Sequence, residues 1–191
     1  MILAICHWWI VGLWAIFLVY WAIAAMFVKR GDRGGWRHGL TMRFALFVII
    51  FAMVALVRRS PEIRALQWAE LRSLPMGVSG AILATLGAIL AFTARAVIGR
   101  NWGSPATRKT DTELVTGGPY GLIRHPIYSG VLLMMIGTAI GLTPVWWLVA
   151  AAAGTYFVRS ARAEERFMTE RFPDLYPAYR ARTKMLVPFL L

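Results

Sequence analysis

Residues 8–28 read Trp8-Trp-Ile-Val-Gly-Leu-Trp-Ala-Ile-Phe-Leu-Val-Tyr-Trp-Ala-Ile-Ala-Ala-Met-Phe-Val28, without a charged side chain. At about 1.5 Å per residue this stretch makes a helix of about 31 Å, the thickness of a bilayer's hydrocarbon core. A cleaved leader would place its positive charge before the apolar run. Here Lys29 and Arg30 follow it, and no Lys or Arg precedes it. The stretch therefore reads as a membrane helix that stays.

Working outward, the pattern repeats. Residues 39–57 are apolar but for Arg43, and residues 76–99 but for Arg95. A longer apolar run, 127–158, is broken by Thr143-Pro144. Its halves would span about 24 and 21 Å as helices, short for independent crossings, so they form a hairpin that only just crosses or dips in and returns. The turn suits Thr143-Pro144, with Pro at the first position of the second helix. Residues of the AVILMFWYC set make up 59% of the chain and charged residues 16%, apolar beyond a soluble domain's balance. The expectation is an all-α, polytopic membrane protein of about five transmembrane helices, ending in the hairpin. Small residues at four-residue spacing (Gly80, Ala84, Ala88; Gly137, Gly141) would let helix backbones approach within one chain.

Charge sets the orientation. With five helices and the N-terminus outside, 15 Lys and Arg residues fall on the cytoplasmic side and four opposite. The positive-inside rule then places the C-terminus in the cytoplasm. Arg43 and Arg95 fall near the cytoplasmic ends of their helices, where long side chains snorkel. The net charge of +12 flanks apolar blocks, which points to anionic lipid headgroups and not to nucleic acid. The lone Cys6 excludes an internal disulfide, and of His7, His38 and His125 only the last sits in a motif, so no metal site is expected.

Two polar segments remain, both on the cytoplasmic side. The first contains Asn101-Trp102 and then Thr112-Glu-Leu-Val-Thr-Gly-Gly-Pro-Tyr-Gly-Leu-Ile-Arg-His-Pro-Ile-Tyr128. Gly117-Gly118-Pro119 marks a turn. Pro126 biases His125 to an extended backbone and suits a first helical turn. The amides of Ile127, Tyr128 and Ser129 are then free donors beside a positive dipole end, able to hold a carboxylate or phosphate. The plain alternative is an interfacial helix start with Tyr120 and Tyr128 as belt aromatics. The second segment runs Arg159-Ser-Ala-Arg-Ala-Glu-Glu-Arg-Phe-Met-Thr-Glu-Arg-Phe-Pro-Asp-Leu-Tyr-Pro-Ala-Tyr179. Arg159, Arg162 and Arg166 share one helix face, and Phe172, Tyr176 and Tyr179 form a stripe, which alone describes an amphipathic helix on the headgroups.

Together, Asn101-Trp102, Glu113-Leu-Val, Gly118-Pro-Tyr, Arg124-His-Pro-Ile-Tyr128, Arg162-Ala-Glu-Glu, Phe172 and Tyr176-x-x-Tyr179 resemble the isoprenylcysteine carboxyl methyltransferase family in its bacterial branch. The resemblance covers residues 99–188. It implies a methyltransferase-like region at 99–191, joined in one integrated domain to N-terminal transmembrane helices at 1–98. It implies S-adenosylmethionine as cofactor, a carboxylate on a lipidic or isoprenoid-bearing acceptor as substrate, and a bacterial inner membrane as location. Glu113, Leu114, Val115, Tyr120, His125, Pro126, Ile127 and Tyr128 match cofactor-contacting positions, and Glu164 or Glu165 matches the family's cofactor-contacting acid. Thr112 stands where the family usually has His. Ser160 stands where it commonly has the substrate-facing Arg, so Arg162, or else Arg159, takes that role. The rival readings are a phospholipid amine methyltransferase, an NADPH-dependent membrane reductase and a non-catalytic lipid-binding protein.

Overall fold

The computed structural model describes residues 1–26, 73–101 and 113–188, and these are helical apart from short connections. The expected span at 39–57, Arg43, Thr112 and most of the loop after Asn101 lie outside the described residues. The helices are α1 (Ile2–Met26), α2 (Leu74–Ile98), α3 (Pro126–Gly141), α4 (Val145–Arg171) and α5 (Tyr176–Arg182), with one-turn 3-10 segments at Gly99–Asn101 and Gly118–Gly121. Of these, α1 and α2 are long and apolar enough to cross a membrane. Their outward faces carry Ile5, Trp8, Trp9, Ile16, Val19, Ile82, Leu86 and Ile89 exposed. An apolar surface that large calls for lipid as its solvent.

The small residues do what their spacing suggested. A Cβ added at Gly80 would lie 2.5 Å from the Gly141 backbone, one at Gly87 2.5 Å from the Gly130 carbonyl, and one at Gly137 2.5 Å from the Ala84 amide. Helices α2 and α3 therefore touch backbone to backbone, within the one chain. Behind them Phe17, Ala88, Ala91, Val131, Met134, Met135, Val149 and Ala150 form the core. Two indoles bond across helices: Trp9 Nε1 donates to Thr85 Oγ1 at 2.8 Å and Trp14 Nε1 to Thr138 Oγ1 at 3.0 Å. Where no water competes, such bonds help fix helix pairs.

Three expectations change at the helix ends. Arg95 does not reach outward; it is buried, and its guanidinium donates to the carbonyls of Gly99 at 2.7 Å and Ala24 at 3.4 Å. The negative ends of two helices hold it there. Gly99, at φ 52, closes α2 in a backbone region open to Gly. The second arm of the hairpin does not stop at Val158 but continues to Arg171, about 40 Å of one helix. The polar Arg and Glu residues thus ride on an extension of a core-packed helix. Finally, the aromatic stripe is not one face of one helix. Pro173 disfavours helical backbone at Phe172, α4 ends there, and Tyr176 and Tyr179 on α5 are buried at 3% and 4% exposure instead of facing headgroups.

Candidate functional site

The Pro126 start of α3 and the polar end of α4 meet at one end of the helix bundle, and the C-terminal tail locks them together. Beyond α5, the tail pairs in parallel with the residues before α3. Lys184 N donates to Leu122 O, Arg124 N to Lys184 O at 2.7 Å and His125 N to Met185 O at 3.1 Å. Ser129 Oγ donates to Leu186 O at 2.5 Å. Tyr179 Oη donates to the carbonyl of buried Tyr120 at 2.8 Å. Gly118, at φ 57, sets the turn that carries Tyr120, and a Cβ added there would lie 3.1 Å from Val97 Cγ2 of α2.

Within this frame His125 stands between the acidic pair of α4. Its Nδ1 lies 3.4 Å from Glu164 Oε2 and its Nε2 3.3 Å from Glu165 Oε1. The Nε2 approach lacks hydrogen-bond alignment, so it acts by charge. Tyr128 Oη donates to Glu164 Oε1 at 2.5 Å. The rings of His125, Tyr128 and Phe157 stack in a column, at 5.6 and 4.6 Å between centroids. Glu165 receives Arg124 Nε at 2.7 Å on Oε1 and faces Arg180 Nε at 3.5 Å on Oε2.

The electrostatics follow from this crowding. Burial alone would pull the His125 imidazolium down, but the contact with Glu164 and the charges of Glu164 and Glu165 outweigh it, and the pKa rises above 6.5. Burial would raise Glu165, yet His125 and Arg124 hold it below its ordinary value. Burial pushes the Tyr179 phenol up to about 12, so it remains a donor to Tyr120.

Of the residues expected at the site, His125, Tyr128, Glu164 and Glu165 come together, with Pro126 buried beneath them and Ile127 half-buried beside them. Tyr120 joins through its carbonyl, and its phenol is pushed up by burial and then by the neighbouring Tyr179 and Glu164. Glu113 is exposed and Leu114 and Val115 half-buried in the irregular stretch before the turn, and the bonded cluster is built without them. Arg159 and Arg162 are exposed on α4 and do not enter its ion pairs. The Ser129 amide is not a free donor: it closes on His125 O at 3.1 Å. Arg124, Arg180 and the tail carbonyls were missed. Arg124 had a signal, its place beside His125, whereas the tail contacts join residues nearly 60 positions apart.

A family model described as phospholipid methyltransferase matches residues 76–174, half of the chain, covering α2 to the end of α4. Protein-S-isoprenylcysteine O-methyltransferase B of Arabidopsis thaliana is 32% identical over 115 residues, 58% of either chain. Cobalt-zinc-cadmium resistance protein CzcN of Cupriavidus metallidurans is 33% identical over 128 residues, covering 64% of this chain and 52% of its own. The solved structure of the eukaryotic intramembrane Ras methyltransferase, isoprenylcysteine carboxyl methyltransferase, superposes with a TM-score of 0.56 at 25% identity, over 80% of this chain and 54% of that one. The chain spans about half the length of the curated relatives it matches.

Proposed function

The chain belongs to the phospholipid methyltransferase family, and from that premise we propose that it is a membrane methyltransferase that uses S-adenosylmethionine on a carboxylate of a lipidic or isoprenoid-bearing acceptor. The observation that carries this reading is His125 held between Glu164 and Glu165 beside a stacked Tyr128 and Phe157. The residues fit a cationic donor: Glu164 keeps a partly exposed carboxylate beside aromatic faces, a combination that attracts cations. When bound, the donor supplies an electrophilic methyl group on a sulfonium.

What the protein must add is modest. An acceptor carboxylate is already an anion at neutral pH, so no general base is required. Glu164 meets the donor's positive charge at the edge of the aromatic stack. Arg162, exposed on the same helix, or Arg159 one turn earlier, clamps the acceptor through two parallel hydrogen bonds. The acceptor's tail enters from the lipid that covers the apolar outer faces, and the exposed arginines of α4 and α5 rest on anionic headgroups.

The family description favours one second reading, a phospholipid amine acceptor. An amine must lose a proton before transfer, which a carboxylate need not. Titration of the detergent-purified protein with S-adenosylhomocysteine tests the donor, and radiolabelled methyl transfer to prenylated carboxylates against aminophospholipids tests the acceptor. Arg162→Ala is expected to keep donor affinity and lose transfer to the carboxylate. Absence of S-adenosylhomocysteine binding would overturn the proposal.

A further inference from the structure

The two glutamates are adjacent in sequence and opposite in circumstance. The Glu165 side chain is 5% exposed and shares itself among Arg124, His125 and Arg180. The Glu164 side chain is 22% exposed and is tethered through Tyr128 Oη and His125 Nδ1. Arg124 explains the difference. Its side chain is 8% exposed, Nε donates to Glu165 Oε1, and Nη1 donates to Thr183 O at 2.5 Å, Arg180 O at 3.2 Å and Thr183 Oγ1 at 3.5 Å. One guanidinium thus ties α4 to the tail while its own backbone amide bonds Lys184 O. Nε and Nη1 are thus engaged within the protein. A Lys could supply the charge but not the fork that reaches a carboxylate and two carbonyls at once.

From this geometry we infer that Arg124 is a positioning residue: it keeps Glu165 as an internal counter-ion that seats the His125 imidazole, and leaves Glu164 as the acid that meets the methyl donor. The inference rests on the donor reading above only in its last clause. The groups facing His125 are Glu164, Glu165 and Tyr128, with Arg124 and Arg180 behind Glu165.

The test uses the full chain in detergent and four variants: Glu164→Gln, Glu165→Gln, Arg124→Lys, and the last two combined. Glu164→Gln is expected to weaken S-adenosylhomocysteine roughly ten-fold or more, the value of a charge-assisted contact. Arg124→Lys and Glu165→Gln each weaken it too, and the double variant is no weaker than the worse single, because both act through one carboxylate. In ligand-free protein the His125 imidazole is followed by nitrogen-15 NMR and identified with His125→Gln. Its titration midpoint is expected to fall in Glu165→Gln and to depart from the parent's in Arg124→Lys. A role confined to holding the fold would leave that midpoint in place. Two results would overturn the inference: an unchanged His125 midpoint in both variants, or Glu164→Gln binding like the parent while Glu165→Gln does not. If the parent itself binds no S-adenosylhomocysteine, the donor reading fails and the midpoints alone decide the positioning role. Should Arg124→Lys not fold, Glu165→Gln, isosteric and without a new charge, carries both measurements.

Discussion

At the scale of single residues, His125 is the point where charge and stability are linked. Its raised pKa means that folding gains stability which is fully present below the unfolded value near 6.5 and is lost as pH rises through the folded value. Glu165 works in the other direction: its lowered pKa contributes stability present above about 4.5 and lost as pH falls through the folded value. Melting of the ligand-free protein in detergent is therefore expected to be highest between those limits and to decline as pH rises above about 6.5. His125→Gln should flatten the alkaline decline. A slope unchanged by that substitution would mean that another group sets it. Tyr179 offers a second measurement, since its hydroxyl is what satisfies the buried Tyr120 carbonyl. Tyr179→Phe is expected to cost about 1–3 kcal/mol, the penalty of a buried acceptor left alone.

At the scale of elements, the α2–α3 contact is where packing is least forgiving. At Gly137 an added methyl meets the Ala84 backbone at 2.5 Å and the Gly80 carbonyl at 2.6 Å, and backbone cannot swing aside as a side chain can. Gly137→Ala is expected to destabilise by roughly 1–3 kcal/mol, whereas Gly12→Ala, with nothing within 4 Å, should not destabilise. Detergent melts of the pair compare like with like, and equal behaviour would refute the backbone contact. The Trp14–Thr138 bond crosses the same core. Thr138→Val removes it with little change of shape, at an expected cost of about 0.6 kcal/mol and at most about 1.7. The α4 extension shows a different logic. Its polar half is positioned by the apolar half, which is anchored through Val149 and Ala150 in the core, so the acidic pair stands on a rigid element instead of a loop.

At the scale of the whole molecule, two segments separated by the hairpin arrive at one end of the bundle and are closed by the tail. The Lys and Arg distribution leads to the expectation that both polar segments share the cytoplasmic side of the membrane. Exposed Arg162 and Arg182 give the test. Single cysteines at these positions, in a Cys6→Ser background, are expected to resist an impermeant thiol reagent in sealed right-side-out vesicles and to react once the membrane is opened. Labelling of either in sealed vesicles would reverse the orientation.

Much of this was legible without coordinates, for identifiable reasons. A bilayer imposes length and apolarity on a helix, so α1 and α2 can be read from local composition alone, and the break between α3 and α4 from Thr143-Pro144. Close-packed helices require small residues at a helical period, so Gly80, Ala84, Ala88, Gly137 and Gly141 announced a contact, although not their partners. The Arg-His-Pro-x-Tyr and Glu-Glu motifs, read by resemblance, named His125, Tyr128, Glu164 and Glu165, and the structure brings these four together. What only the tertiary structure decided is how these groups divide. Whether Glu164 or Glu165 is turned inward depends on Arg124 reaching tail carbonyls at residues 180 and 183, and backbone carbonyls leave no mark on a sequence. Likewise Arg95 is held by carbonyls at the ends of two helices, and Tyr179 is buried by a tail whose pairing partner lies some 60 residues earlier. Local pattern states which elements form; the distant, main-chain contacts that orient a site come from the fold.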